Sequence, residues 1–333
     1  MKRGRSGGGL LGLAAVLCLA GCGSKGDSLH PQGPGAKDIA SLWWWLLGGC
    51  SFGMAFVTAL LVLAWFRRKS MGLGREPGER AGWIVILTLG VGVMIAGLVT
   101  LFVVADVFTI RGTEAPAAAA TSLTVRVVGH QWYWEFDYSG TSAVMADEMH
   151  IPVRTPVRVD VDTGDVIHSF WVPELNRKID AIPGQRNAIE LYADKPGVYR
   201  GECLQYCGLQ HAHMDFLVFA DPPAEFKAWL ADQERPARTP ASALARRGAQ
   251  VFTQECQSCH TIRGTSAHGT IGPDLTHLAT RTTLAGVTIP NSKSYLARWI
   301  VGSQRIKPGN QMPDIPLTRR QLQALLAYLE GLR

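Results

Sequence analysis

The stretch Gly201-Glu202-Cys203-Leu204-Gln205-Tyr206-Cys207-Gly208-Leu209-Gln210-His211-Ala212-His213-Met214 gathers two thiols, imidazole and a thioether into one loop. The set Cys203, Cys207, His211 and Met214 suits copper, whereas magnesium and calcium take oxygen ligands. A further imidazole is available in Val166-Ile167-His168-Ser169-Phe170. A single blue-copper centre uses one Cys. Two cysteines four apart can both face a shared site and bridge two metals, so the second thiolate argues for a dinuclear cluster. His168 and His211 then cap one copper each, with Met214 a weak ligand and the backbone carbonyl of Gln205 serving opposite it. A disulfide between Cys203 and Cys207, or a zinc site, would use the same residues.

Outward from that loop, the segment 121–221 reads as strands. Leu123, Val125 and Val127 alternate with Thr124, Arg126 and Val128, and Val157, Val159 and Val161 alternate with Arg158, Asp160 and Asp162. This period of two marks half-buried strands. Pro152, Pro156, Gly164, Pro173, Pro183-Gly184 and Pro196-Gly197 punctuate them. Short strands with regular turns predict an antiparallel sandwich or barrel, and no helical period runs through the segment. The same alternation places Trp134 in the strand core.

At 333 residues there is room for two ordinary domains and further segments. A hydrophobic content of 47% with two long apolar runs predicts a membrane protein with soluble parts. The runs form a hairpin over 41–108, with spans 41–66 and 82–108, each covering the ~20 residues a bilayer core requires. Trp43-Trp44-Trp45 opens the first span and suits the aromatic belt at the interface. Between the spans stand Arg67, Arg68, Lys69, Arg75 and Arg80 against Glu76 and Glu79. The positive-inside rule puts that loop in the cytoplasm and both soluble regions outside. Cys50 lies within a span and reads as packing.

The N-terminus carries Lys2, Arg3 and Arg5, an apolar run from Leu10 to Leu19, and then Leu19-Ala20-Gly21-Cys22. A basic start, a short apolar centre and small residues describe an export signal over 1–21. Cys22 after Leu-Ala-Gly resembles a bacterial lipoprotein box, which implies acylation of Cys22; an ordinary signal peptide with an incidental Cys is the alternative. Glu114 to Thr121 is an Ala-rich exit from the membrane.

Pro222 to Glu234 predicts a short helix with Phe226, Trp229 and Leu230 on one face. Arg235-Pro236-Ala237-Arg238-Thr239-Pro240 predicts a flexible linker, so 222–240 joins the strand segment to 241–333. In that last region Cys256-Gln257-Ser258-Cys259-His260 has the C-x-x-C-H form of covalent haem c attachment, with His260 an axial ligand. A redox dithiol would share part of this pattern. Helices are expected at 241–253, 292–302 and 318–332. Met312 is the only Met after Met214 and the natural sixth ligand. His268 and His277 compete for that role and read as loop and surface residues.

The order Gly129-His130-Gln131-Trp132-Tyr133-Trp134, then DVIHSFWVPEL from Asp165, KIDAIPG from Lys178 and the Cys203–Met214 loop resembles cytochrome c oxidase subunit II. The resemblance covers the hairpin and the strand region. It implies a cupredoxin fold carrying the dinuclear CuA centre, with Trp132 the surface point through which electrons enter. The family usually has Glu between the two cysteines, where its side chain reaches a magnesium at the interface with subunit I. Gln205 keeps the carbonyl and loses the carboxylate, so no magnesium ligand is expected from it. Residues 241–333 resemble a class I cytochrome c. The expectation is therefore a multidomain membrane protein: a two-helix transmembrane hairpin, an all-β cupredoxin-like domain and an all-α class I cytochrome c domain.

The resemblance implies a bacterial caa-type oxidase subunit II, expected to relay electrons and to hold no general acid, general base or nucleophile. A periplasmic donor such as cytochrome c would feed haem c, then CuA, then haem in subunit I, where oxygen reduction and proton translocation occur. Subunit III is a further expected partner and nucleic acid is not. The location is the cell membrane, with both soluble domains on the periplasmic side. A CuA-containing nitric oxide reductase subunit and a copper-delivery or assembly lipoprotein are the competing readings. Residues 114–224 hold 15 acidic and 8 basic side chains, and 237–333 hold 4 and 12. These opposite fields predict a salt-sensitive docked pose between the two domains.

Overall fold

The computed structural model describes residues 26–67, 82–84, 86–111, 115, 117 and 121–333. The export segment 1–21, Cys22, the basic loop from Arg68 to Arg80 and most of the connector 114–121 lie outside the described residues.

Among the described residues, two helices are long and apolar enough to cross a membrane. Helix α1 spans Pro34–Arg67. The second apolar run passes through a π-helical stretch, Ile86–Gly92, into α2, Val93–Arg111. Helix α1 begins seven residues before the expected span because its first turn is anchored to the strand region. Gln32 N–H donates to the Glu174 carbonyl at 2.7 Å, and Lys37 Nζ meets Asp194 Oδ2 at 2.7 Å. Gly35, Ala36 and Ala40 are buried there. At Gly33 a Cβ would stand 2.4 Å from the Tyr192 carbonyl oxygen, so only glycine admits this approach. Farther along, side chains such as Trp45 and Phe102 are exposed, as lipid-facing positions require.

The strand region is a two-sheet sandwich. Its strands are β1 Thr124–His130, β2 Tyr133–Tyr138, β3 Val144–Ala146, β4 Glu148–Pro152, β5 Val157–Thr163, β6 His168–Trp171, β7 Ile179–Ala181, β8 Asn187–Leu191, β9 Gly197–Cys203 and β10 Asp215–Asp221. They order as β3-β2-β1-β5-β8 and β4-β10-β9-β6-β7. The expected antiparallel pattern is broken twice, since β1 runs parallel to β5 and β10 parallel to β4. Crossovers between sheets bring these sequence-distant strands side by side. Trp134 is fully buried, as its alternation predicts, and packs edge-on against Phe170 and Phe216 at 5.7 and 5.6 Å. Gly201 makes room for this cluster, because a Cβ there would lie 2.0 Å from the Phe216 ring.

Helix α3, Pro223–Gln233, follows as expected and folds back on the sandwich. Phe226 is buried, and Trp229 stacks on His150 at 4.1 Å. The segment after it is fixed in place. Ala237 N–H donates to Arg263 O at 2.9 Å, and His277 Nε2 lies 3.0 Å from Arg235 O.

The C-terminal body contains α4 Ala243–Glu255, a short hairpin β11 Thr283–Leu284 and β12 Ile289–Pro290, then α5 Lys293–Val301, α6 Ser303–Ile306 and α7 Arg319–Leu329. Ser242 caps α4 by accepting from Ala245 N–H, and Thr318 with Gln321 forms a capping box on α7. Helices α4 and α7 cross at Gly248, where a Cβ would stand 2.0 Å from the Ala324 carbonyl oxygen. Gly248→Ala is expected to destabilise this body by about 1–3 kcal/mol, the usual cost of overpacking. Calorimetry should register it as a lower melting midpoint, and an unchanged midpoint would refute the close crossing.

Candidate metal centre and C-terminal cavity

Three elements meet at one end of the sandwich. His168 opens β6, Cys203 closes β9, and the loop from Leu204 to Met214 returns into β10. The pairing of Phe170 with Cys203 turns His168, Phe170 and Cys203 to the same inner face. Among the described residues, His168, Cys203 and Cys207 place their ligand atoms within 4.8 Å of one another. Cys203 Sγ lies 3.9 Å from His168 Nδ1, 3.9 Å from Cys207 Sγ and 3.3 Å from the Gln205 carbonyl oxygen. Cys207 Sγ lies 3.6 Å from His211 Nδ1 and 3.8 Å from Met214 Sδ. Both cysteines are free. All six sequence-predicted donors therefore converge, with Cys203 and Cys207 central and His168 and His211 at opposite ends. Soft sulfur with imidazole, buried and without a carboxylate among the donors, fits copper.

One of the two thiols is prepared for deprotonation, and the other keeps its proton. A hydrogen bond from Cys207 pulls Cys203 down to about 4, and the same bond pushes Cys207 up. The pair thus holds one proton, which metal binding must displace. Burial works to lower the His168 pKa, but its bonds to Asp165 and Cys203 outweigh that and raise it.

Sequence reasoning named Trp132 only as an electron entry point and missed the other residues that hold these donors. Asp165 Oδ1 lies 2.8 Å from His168 Nε2, which leaves Nδ1 to face the sulfurs. Asp165 also accepts from the N–H groups of Gln131 and Val166, each at 2.6 Å. A carboxylate three residues before a candidate His was the available signal. Gln131 Nε2 and Trp132 Nε1 both donate to the Cys207 carbonyl, at 2.7 and 3.0 Å. Gly129 is needed because a Cβ would meet the His168 ring at 2.8 Å.

In the C-terminal body, Cys256, Cys259, His260 and Met312 line one cavity with Phe252, Leu278 and Leu325. Cys256 follows directly on α4, and His260 Nδ1 lies 2.8 Å from the Pro273 carbonyl oxygen, so Nε2 is the nitrogen free for ligation. Burial lowers the His260 pKa and favours the neutral, ligating imidazole. It also pushes the Cys256 thiol up to about 12. Met312 is fixed through its backbone: its N–H donates to Asn310 Oδ1, and its carbonyl accepts from Ser303 Oγ and Gln304 Nε2. An apolar cavity lined by two thiols, an imidazole and a thioether fits a covalently attached haem. His268 and His277 are not among its lining residues. His277 is buried against the linker rather than at the surface.

Trp132, Tyr133 and Gln131 of the sandwich also line this cavity. The two bodies are in contact, and the contact is made by buried charge. Lys307 is 2% exposed, and its ammonium donates to the carbonyls of Trp132 and His213 across the boundary, both at 2.7 Å, and to Ala285 O at 3.1 Å. Burial lowers it to about 8, still cationic at neutral pH. Glu148 Oε1 accepts from the N–H groups of Thr282 and Thr283 at 2.7 and 2.8 Å and from both hydroxyls. Asp147 Oδ2 accepts from Gly286 N–H at 3.0 Å. This differs from the expected flexible tether and salt-sensitive pose: the charged groups at the boundary are buried and bond backbone and hydroxyl groups of the other body.

Comparison with known proteins agrees with this architecture. Residues 142–220 match the cytochrome c oxidase subunit II periplasmic domain, and 245–333 match cytochrome c. The chain is 33% identical to cytochrome c oxidase subunit 2 of Alkalihalophilus pseudofirmus over 96% of its own length and 94% of that protein. It is 29% identical to the Bacillus subtilis protein of the same name, covering 97% and 96% of the two chains. A solved structure, the periplasmic domain of subunit II of cytochrome oxidase of Bradyrhizobium japonicum, is 32% identical, covers 36% of this chain and 96% of that one, and superposes with a TM-score of 0.34. The chain belongs to the cytochrome c oxidase subunit 2 family. It is an electron-transferring membrane subunit of a haem–copper oxidase, with a CuA-binding cupredoxin-like domain and a haem c-binding cytochrome c domain.

Two outcomes are expected from this geometry. Asp165→Asn should weaken copper retention by about 10–100-fold, the usual effect of losing a group that orients a ligating His. Competition with a copper chelator measures it, and unchanged retention would refute the role of Asp165. Raising the salt from ~0.1 to ~1 M shortens the Debye length from ~10 to ~3 Å, yet should leave the docked pose intact because its charges are buried. Small-angle scattering of the whole chain in detergent tests this, and expansion at high salt would contradict it.

Proposed function

We propose that electrons from a periplasmic donor such as a soluble cytochrome c are received at the C-terminal domain and delivered to the copper domain, and from there to haem in subunit I of the oxidase. The hairpin sets both domains on the periplasmic side, beside subunit I and subunit III. The proposed division of the chain is leader 1–21, hairpin 41–108, copper domain 121–221, joining helix and linker 222–240, and haem domain 241–333, with Cys22 acylated. Cys203, Cys207, His168, His211, Met214 and the Gln205 carbonyl would hold the copper pair. Cys256 and Cys259 would attach the haem covalently, and His260 and Met312 would supply ligands to its iron.

Bound copper and haem supply one-electron carriers that change oxidation state with no bond made to substrate on this chain. The protein's own part is geometry. Burial of His168, Cys203, Cys207 and Met214 keeps water from these donors. The Pro273 carbonyl and the Asn310 side chain hold His260 and Met312 in place.

The observation that carries this reading is Trp132. It lines the cavity of Cys256, His260 and Met312, while its indole N–H donates to the carbonyl of Cys207 at 3.0 Å. One side chain thus touches both sites. The haem domain covers the point at which the resemblance has electrons enter the copper domain, which makes Trp132 an internal bridge rather than a docking site for a soluble donor.

The test is purification of the complex with its partner subunits, followed by copper and iron analysis and oxygen uptake with reduced cytochrome c. Copper and covalent haem with oxygen consumption are expected, whereas nitric oxide consumption in place of oxygen would overturn the oxidase reading. Within that complex Trp132→Phe should slow haem-to-copper transfer by about tenfold or more, equivalent to ~1.4 kcal/mol of barrier. An unchanged rate would remove Trp132 from the path.

A further inference from the structure

Lys307 carries no ligand role and belongs to no motif, yet it is one of the few charged side chains that are almost fully buried. It stands on the haem domain between α6 and Met312, and its ammonium reaches past its own domain. Two of its three acceptors are backbone carbonyls of the copper domain. One, Trp132, bridges the two sites, and the other, His213, lies beside Met214 in the copper loop. The third, Ala285, is the neighbour of Gly286, whose N–H bonds Asp147. Gly286 has φ +67° and its Cβ position lies 2.5 Å from the His213 carbonyl oxygen, so that turn fits only as glycine against the copper domain. Glu148, next in sequence to Asp147, takes four hydrogen bonds from Thr282 and Thr283 through one oxygen.

We propose that Lys307, bonded to the Trp132 and His213 carbonyls, together with Asp147 bonded to Gly286 and Glu148 bonded to Thr282 and Thr283, is an interdomain latch: a positioning set that holds the haem domain in one pose over Trp132. This rests on the electron-relay reading above and assigns the residues that give the relay a fixed geometry. A buried cation has little net worth as a stabiliser, because its desolvation offsets its attraction. Its value lies in specificity. Any other pose leaves the ammonium, two carboxylates and several carbonyls buried without partners, and each such loss is costly. Exposed ion pairs would allow many poses of similar energy. This interface allows one.

The experiment uses the complete oxidase with Lys307→Met, Glu148→Gln and, as a control, Lys293→Met, whose ammonium is exposed and paired with Glu330 of the same body. Hydrogen exchange is read at the amides of Thr282, Thr283 and Gly286, whose acceptors lie across the boundary. Lys307→Met should speed their exchange at least about tenfold, as expected when a buried, hydrogen-bonded cation is removed. It should also slow haem-to-copper transfer at least about threefold while the haem and copper absorption spectra stay unchanged. Glu148→Gln, which keeps shape and removes charge, should fall between it and the wild type, and Lys293→Met should match the wild type. Unchanged amide protection in Lys307→Met would refute the latch even if the relay operates. An altered haem spectrum would also refute it, by showing that Lys307 supports the haem domain internally. Failure of haem-to-copper transfer in the wild-type complex would instead refute the relay and leave the exchange result standing.

Discussion

The pairing of β6 with β9 is the constraint on which the metal centre depends. Phe170 faces Cys203 across that pair, and His168 lies two residues along the same inner face. Side chains alternate across a strand, so a slip of one residue would turn His168 and Cys203 outward together. What prevents the slip is the aromatic cluster of Trp134, Phe170 and Phe216, which shares that inner face. Burying such rings is worth several kcal/mol each, far more than any one contact at the metal site. The core thus sets the register, and the register sets the ligands. Hydrogen bonds from Gln131, Trp132 and Asp165 then refine positions that the packing has already chosen.

Charge acts differently at the domain boundary from what a count of acidic and basic residues suggests. Net charges of opposite sign act over a Debye length and steer encounter. Once Lys307, Asp147 and Glu148 are buried, the same charges act as hydrogen-bonding groups at fixed positions. The linker supports the same conclusion, because Arg263 bonds Gln233 O and the Ser142 hydroxyl while Ala237 bonds Arg263 O. A tether pinned at both ends restricts the pose instead of supplying a diffuse local concentration. Transfer between the two sites then occurs in a prepared geometry.

Much of this was legible in the sequence for a simple reason: ligand chemistry is carried by rare residue types at short spacing. Cys203, Cys207, His211 and Met214 fall within one loop, and Cys256, Cys259 and His260 within one turn. Strands announced themselves through alternation at Val157, Val159 and Val161, all of which are fully buried. The residues that escaped notice are common types whose role is defined only by what lies across a boundary. Nothing in the neighbourhood of Lys307 distinguishes it from other basic residues of the haem domain until the Trp132 carbonyl is placed beside it. The two parallel strand pairs escaped for a related reason, since pairing between strands distant in sequence leaves no local pattern. The surface reading of His277 failed because its cover is the linker, which sequence alone leaves free.

Gln205 shows how far a family template can be carried. Its carbonyl oxygen lies 3.3 Å from Cys203 Sγ, while its side chain is on the exposed side of the loop. Backbone and side chain at this position therefore answer to different demands. The carbonyl is held by the turn between two fixed cysteines and is indifferent to residue type. The residue is exposed, and an amide there brings no negative charge to attract a second, harder cation, which takes oxygen ligands and favours carboxylates. The exchange of carboxylate for amide thus leaves the inward chemistry of the loop intact and alters only what the loop offers to whatever packs over it.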